Sequence, residues 1–263
     1  MKTALASALT VLALAPLAYA QPVQLRVTVE NLAPTNSITF APLRVGFHNG
    51  TFDAFDNGQA AFLFGNPDIA SAPIVTIAEG GSGSTWFPAF QATEPQATLG
   101  SVLPNPAGPL LPGATGTMDF MVDPSVNRFF SFASMVVPSN DHFIGNDTPI
   151  ELFDAMGNLN LSFISQFGRS IWDAGSETTD PAAAAFLMSG NNDLRTDQGG
   201  VVNFNFSELD AYNGLTTAAG YTFDRQFGAA DEVYRISFEI VPAPGALAVF
   251  GLGGLTALRR RRA

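Results

Sequence analysis

Few side chains in this 263-residue chain could act as catalytic bases or nucleophiles at neutral pH. His48 and His142 are the two histidines, and there is no cysteine for a thiolate nucleophile, a disulfide or a thiolate metal site. The run GGSGS, Gly80 to Ser84, ends in Ser where a Gly-x-Ser-x-Gly nucleophile motif needs Gly, and it lacks the lysine of a phosphate-binding loop. Serine and cysteine hydrolases are therefore disfavoured. His48 is expected to be hydrogen-bonded within the fold rather than to ligate a metal.

The 23 acidic residues leave two kinds of chemistry open. A pair of carboxylates could hydrolyse glycosidic bonds, since the spacing of acids in the fold cannot be read from the sequence. Carboxylates could also bind a divalent cation, and candidate acids stand in the segments VVPSNDHFIGND, from Val136, and WDAGSETTD, from Trp172. On residue types alone, such an acidic loop is more typical of a solvated surface than of a metal site.

The two acidic segments carry a resemblance to a known family. PSNDHFIG and DAGSE resemble the paired motifs of the spondin N-terminal domain, a module of F-spondin, mindin and many bacterial secreted proteins. The earlier segments RVTVENLAP, APLRVGFHNGTFDAFDNGQAA and LLPGATGTMDFMV are similar to the family's first strands. The resemblance spans roughly Gln24 to Glu177, and more loosely the residues from Thr178 to Ile240.

This resemblance implies a fold and a site. The fold is an antiparallel β-sandwich related to C2 domains, and the site holds one calcium ion between Asp141, Asp173 and Glu177, the last of which is often Asp in animal members. Calcium takes six to eight oxygen ligands without strict angles, and Gly175 would let the loop turn both its acids toward one point. His142 is expected to point away from Asp141 along an extended segment and is not counted as a ligand.

Charge and the N-terminus indicate an exported, acidic protein. Between Gln21 and Ile240, seven arginines and no lysine stand against all 23 acids, a formal charge of −16. Such a surface disfavours nucleic acid and anionic membranes, keeps the protein soluble and attracts divalent cations. Lys2, the apolar stretch up to Leu17 and Ala-Tyr-Ala ending at Ala20 predict a signal peptide over residues 1–20.

The C-terminal segment, residues 241–263, reads VPAPGALAVFGLGGLTALRRRRA. An uncharged run to Leu258 followed by four arginines predicts transient membrane anchoring with the arginines on the cytoplasmic side. The segment resembles PEP-CTERM sorting signals of exopolysaccharide-producing bacteria, although Ala243 replaces the usual Glu. The resemblance implies cleavage by a dedicated sorting protease and release to the cell surface or matrix.

Period-two alternation predicts strands in most of the body, residues 21–240. Gln24 to Leu32 alternates apolar and polar residues, and further strands are predicted over 116–122, 129–137, 150–153, 159–163, 201–206 and 234–241. A helical pattern is limited to Pro181 to Met188, with Asp180 as N-cap, and predicts one short helix or helical turn on a loop. The run at Gly80 is predicted to be a loop without a following helix. One all-β antiparallel sandwich domain is the simplest interpretation.

The functional hypothesis is a secreted, non-enzymatic, calcium-binding adhesion module. Its expected partners are extracellular matrix, polysaccharide or cell-surface molecules, by analogy at the level of the fold. Two alternatives stay open: a secreted polysaccharide hydrolase that uses a carboxylate pair, and a purely structural matrix protein.

Overall fold

The computed structural model describes residues 21–61 and 72–242. The predicted signal peptide and the sorting segment from residue 243 onward lie outside the described residues. Among the described residues, no helix has the length and apolar character needed to cross a bilayer.

The protein is an all-β antiparallel sandwich, as predicted. Its strands are β1 (Val23–Asn31), β2 (Thr39–Phe40), β3 (Leu43–His48), β4 (Thr98–Val102), β5 (Thr115–Val122), β6 (Phe129–Val137), β7 (His142–Gly145), β8 (Ile150–Glu151), β9 (Phe163–Phe167), β10 (Trp172–Asp173), β11 (Asn203–Phe204) and β12 (Glu232–Val241). In the described residues they form a four-stranded sheet, β5-β1-β12-β9, and an eight-stranded sheet, β11-β10-β7-β6-β3-β4, with β2 and β8 also paired to β6.

The alternation predicted for β1 is confirmed. Leu25, Val27 and Val29 are buried between the sheets, and Arg26 and Glu30 are only partly buried on the other face. This follows from the pleat, which turns successive side chains to opposite faces. By contrast, eight of the nine residues of β6 are buried, because this central strand is covered on both faces.

A helical layer covers the outer face of the larger sheet. It consists of α1 (Pro73–Gly80) and α2 (Trp86–Thr93), which lie on either side of the glycine-rich run. Trp86 and Phe90 are four residues apart on one face of α2, both fully buried, and the Phe90 ring stacks on Phe52 with 3.7 Å between centroids. The expectation that no helix follows this run is therefore wrong, because burial of these aromatic rings stabilises a helix too short for propensity alone to indicate.

Over Pro181 to Met188, where one short helix or helical turn is predicted, the structure has a single helical turn, in which the N–H groups of Ala183 and Ala184 donate to the carbonyl oxygen of Asp180. Asp180 does accept a hydrogen bond from Ala182 N at 2.9 Å, as a capping residue would. However, Phe186 has φ of +66°, and isolated bridges join Ala185 to Ser139 and Leu187 to Thr217. After this first turn the segment pairs with neighbouring parts of the chain, so the helix does not continue.

Strand register brings the two acidic segments together. β10 pairs with β7 so that Asp173 lies opposite His142 and Trp172 opposite Phe143. Residues directly opposite each other in an antiparallel pair extend their side chains to the same face of the sheet. Near this edge, a 3₁₀ helix, Phe206–Tyr212, contributes Glu208.

Candidate metal centre

Three potential metal-binding side chains meet at the β7–β10 edge. His142, Asp173 and Glu208 each place one ligand atom within 4.8 Å of the other two. The expectation that His142 points away from the acids is wrong. The chain bends at Asp141, where Ser139 Oγ accepts a hydrogen bond from His142 N at 3.1 Å, so strand alternation does not extend across this pair.

The imidazole of His142 is oriented by the backbone. Its Nε2 lies 2.8 Å from the carbonyl oxygen of Asn205, so Nε2 carries the proton and donates it to that oxygen. The other ring nitrogen, Nδ1, is buried and has no hydrogen-bond partner among the described residues. A metal-binding histidine usually donates from one ring nitrogen to a backbone carbonyl, which leaves the other nitrogen to face the metal.

Asp141 presents a second unpartnered atom beside the first. Its Oδ1 is buried without a hydrogen bond and lies 3.9 Å from His142 Nδ1. Its Oδ2 accepts hydrogen bonds from the backbone N–H of Ser176 at 2.8 Å and of Glu177 at 3.0 Å. Burial, and then the nearby charge of Asp173, raises the pKa of Asp141 to about 6. The acidic loop therefore fixes this carboxylate and leaves one oxygen free.

Asn205 links the remaining two carboxylates. Its Nδ2 donates to Glu208 Oε1 and lies 3.5 Å from Asp173 Oδ2, while Asp173 Oδ1 accepts from Gly175 N at 2.6 Å. The hydroxyl of Thr179 donates to Glu208 Oε2. Burial raises the pKa of Asp173. These contacts hold both carboxylates toward His142.

Glu177, the third predicted ligand, is directed elsewhere. Its Oε1 accepts a hydrogen bond from Asn140 Nδ2 at 2.6 Å, and its Oε2 is buried without a partner. Burial raises the pKa of Glu177 to about 7. The predicted ligands thus differ in position: Asp173 belongs to the three-residue group, Asp141 borders it, and Glu177 touches Asp141 through its backbone.

Sequence reasoning did not include Glu208 or Asn205. Asn205 falls in the strand predicted over 201–206, but the structure limits that strand to Asn203–Phe204. Glu208 has no sequence signal beyond being one of 23 acids, and it is positioned by the 3₁₀ turn that follows. His142 could have been included, because the Pro-Ser-Asn-Asp sequence before it is typical of a turn.

Gly175 is required by the shape of the acidic loop. Its φ is +63°, and a Cβ there would lie 2.5 Å from Val201 N and 2.6 Å from Val201 O. Gly199 has the same φ of +63°, but a Cβ at that position would meet nothing within 4 Å. We expect Gly175→Ala to lower the free energy of unfolding by about 2 to 3 kcal/mol, and Gly199→Ala by about 1 kcal/mol, the cost of left-handed backbone alone. Urea unfolding of both variants measures the difference, and equal losses would contradict the steric argument.

A second buried cluster resembles a catalytic triad in its order of contacts. His48 Nε2 lies 3.0 Å from Ser131 Oγ and its Nδ1 lies 2.9 Å from Glu94 Oε1. Ser131 is only 5% exposed, and its Oγ also lies 3.2 Å from Asn146 Nδ2. His48 is thus hydrogen-bonded at both nitrogens, as predicted, and a substrate could not reach the serine without opening the helical layer.

The chain matches no protein-family model, and no curated protein matches it significantly. The resemblances to the spondin domain and to PEP-CTERM signals therefore stay predictions.

Proposed function

We propose that this protein is an exported, non-enzymatic binding module whose loops at the β7–β10 edge are held together by a divalent metal ion. The observations that support it are the two unpartnered buried atoms, His142 Nδ1 and Asp141 Oδ1, which lie 3.9 Å apart, and the cluster that His142 forms with the carboxylates of Asp173 and Glu208. Buried polar atoms are nearly always satisfied, and a cation would satisfy both at once. It would also offset the repulsion among buried carboxylates.

The donor set bears on which ion binds. A neutral imidazole with carboxylates suits zinc, manganese and related ions, whereas calcium prefers an all-oxygen set. We therefore favour a nitrogen-accepting cation held by His142, Asp173 and Glu208, with Asp141 as fourth ligand. Calcium held by Asp141, Asp173 and Glu177 is the alternative that the spondin resemblance supports.

The binding role rests on the surface next to this centre. Phe204 of β11 is 51% exposed and stacks on Trp172 with 3.6 Å between centroids. The two rings lie one residue from Asp173 and its partner Asn203. A loop that is fixed by a metal loses less entropy on binding, and an exposed aromatic ring offers a flat apolar surface for a matrix polysaccharide. The burial of Asp141 and Asp173, each 1% exposed, favours this role over a glycoside hydrolysis that uses these two acids, since a sugar could not contact them.

Metal-dependent stability tests the proposal. A cation at 100 times its dissociation constant is expected to raise the free energy of unfolding by about 2.7 kcal/mol, which shifts the melting temperature by about 5 to 11 °C. Thermal melts of residues 21–242 would be recorded in EDTA and with graded zinc, manganese or calcium. Retention on a polysaccharide matrix, compared with and without the effective ion, would then test the binding role.

Matched variants separate the two ligand sets. The shift should disappear in His142→Asn and Glu208→Gln, and persist in Glu177→Gln and in the exposed control Asp193→Asn. A calcium shift that is lost in Glu177→Gln and kept in His142→Asn would instead support the alternative set. If no cation shifts the melt of the parent, the metal proposal is wrong.

A further inference from the structure

A cavity of about 560 Å³ opens on the side of the larger sheet where α1 ends. Apolar groups form most of its wall, among them Pro42, Pro109, Val137 and Phe186. None of the residues that line it belongs to the candidate metal centre. Its volume lies in the range of sites that bind small organic molecules.

Among the described residues that line this wall, Arg44 is the charged one. It extends from β3 between Leu43 and Val45, and donates from Nη1 to Ser101 Oγ at 2.7 Å and from Nη2 to the carbonyl oxygen of Gly81 at 2.6 Å. Its Nε is buried without a hydrogen-bond partner among the described residues, and each terminal nitrogen uses only one of its two N–H groups in these bonds. Guanidinium has five N–H donors and stays charged in proteins, so this side chain keeps unused hydrogen-bonding capacity at a partly desolvated position.

Arg44 has no carboxylate partner among the described residues, although the protein is strongly acidic. Five other arginines in the described residues form ion pairs with carboxylates: Arg26, Arg128, Arg195, Arg225 and Arg235. Arg169, which also lacks an ion pair in this part of the chain, is exposed to solvent. Burial lowers the pKa of Arg44, and no neighbouring acid among the described residues opposes that effect. A half-buried arginine in such surroundings is suited to an anion from outside.

Phe186 marks the rim of the cavity. It is 47% exposed and has φ of +66°, a conformation that is strained for a bulky residue. A hydrogen bond of 2.7 Å from Ala218 N to its carbonyl oxygen fixes the backbone there. Such strain persists only where the surroundings enforce it, and it commonly accompanies ligand sites.

We propose that this cavity binds an amphipathic monocarboxylate, with the carboxylate on Arg44 and the apolar body between Pro42, Pro109 and Phe186. The chemistry is that of a medium-chain fatty acid. A free acid fits better than a sugar, since the walls are mainly apolar and Arg44 supplies the unused charged donor.

Displacement of a fluorescent probe by matched ligands tests the proposal on the purified protein. The probe is N-phenyl-1-naphthylamine, an uncharged aromatic amine, and the competitors are decanoate and decanol. We expect decanoate to displace the probe at about 10- to 100-fold lower concentration than decanol, the range expected for a charge-assisted hydrogen bond. EDTA should leave this preference unchanged, because the cavity and the metal centre share no residues.

Variants then locate the site. Arg44→Gln should remove the preference for decanoate while decanol still binds, and Arg169→Gln, which removes the same charge elsewhere, should change nothing. Gly108→Trp should block both ligands, since a Cβ at Gly108, which lines the cavity, meets nothing within 4 Å and the fold can accept it. Equal displacement of the probe by decanoate and decanol would overturn the proposal, and so would unchanged decanoate binding in Gly108→Trp. If Arg44→Gln does not fold, the Gly108→Trp variant still tests the site.

Discussion

Replacing Glu94 by Ala should lower the free energy of unfolding by about 4 kcal/mol or more, the range for removing one partner of a buried charged network. The Glu94 carboxylate is only 3% exposed and accepts hydrogen bonds from the backbone N–H of Asn49 at 2.6 Å, Thr51 at 2.7 Å and Phe52 at 2.7 Å. His48 Nδ1 also lies 2.9 Å from it. Alanine would remove the acceptor shared by these buried and partly buried N–H groups, and removing one partner of a buried hydrogen bond costs more than the bond itself contributes.

Urea unfolding would measure this loss against two further variants. Glu94→Gln retains the shape but turns an amide NH₂ toward backbone donors, so we expect it to lose a large part of the same stability. Glu239→Gln removes an equal charge from an exposed position of β12 and should change little. A loss below about 1 kcal/mol in Glu94→Ala would show that the loop following β3 does not depend on this carboxylate.

The strands of the sandwich were predictable from the sequence where a long strand buries either one face or both faces. β1 alternates with period two, and β6 is a nine-residue run of mainly apolar residues, so both are evident from the sequence. The helices were not, because α1 and α2 have eight residues each and depend on contacts with distant rings such as Phe52. The two-residue strand β10 was also not predictable from a sequence pattern, because it is defined by its pairing with β7.

The candidate site was predictable only in part for a related reason. Asp141 and Asp173 stand in turn-like motifs, which sequence resemblance can identify. Glu208 reaches the site through the fold alone, from a 3₁₀ turn with no distinguishing pattern. The orientation of His142 depends on a bend of one residue, and an alternation rule cannot detect such a bend.

The metal-free protein should be more stable at pH 5 than at pH 8. Burial is the first cause that raises the pKa of Asp141 to about 6 and of Glu177 to about 7, from ordinary values of 3.8 and 4.5. Between about pH 4 and pH 7 the folded protein therefore keeps protons that the unfolded chain has released. Stability falls as pH rises through this window, by about 1.4 kcal/mol for each unit by which folding raises a pKa.

His48 acts in the opposite direction and must be separated from this effect. Burial lowers the pKa of His48, so the unfolded chain gains a proton first and stability falls as pH drops below about 6.5. Unfolding midpoints in EDTA at pH 5 and pH 8 should therefore be compared between the parent and Asp141→Asn or Glu177→Gln, which retain His48. The variants should lose much of the parent's decrease toward pH 8. The effective metal ion should reverse that decrease in the parent, because cations and protons compete for the same carboxylates and imidazole. An unchanged pH profile in both variants would mean that these acids ionise without cost, and the case for a cation beside them would then rest on His142 alone.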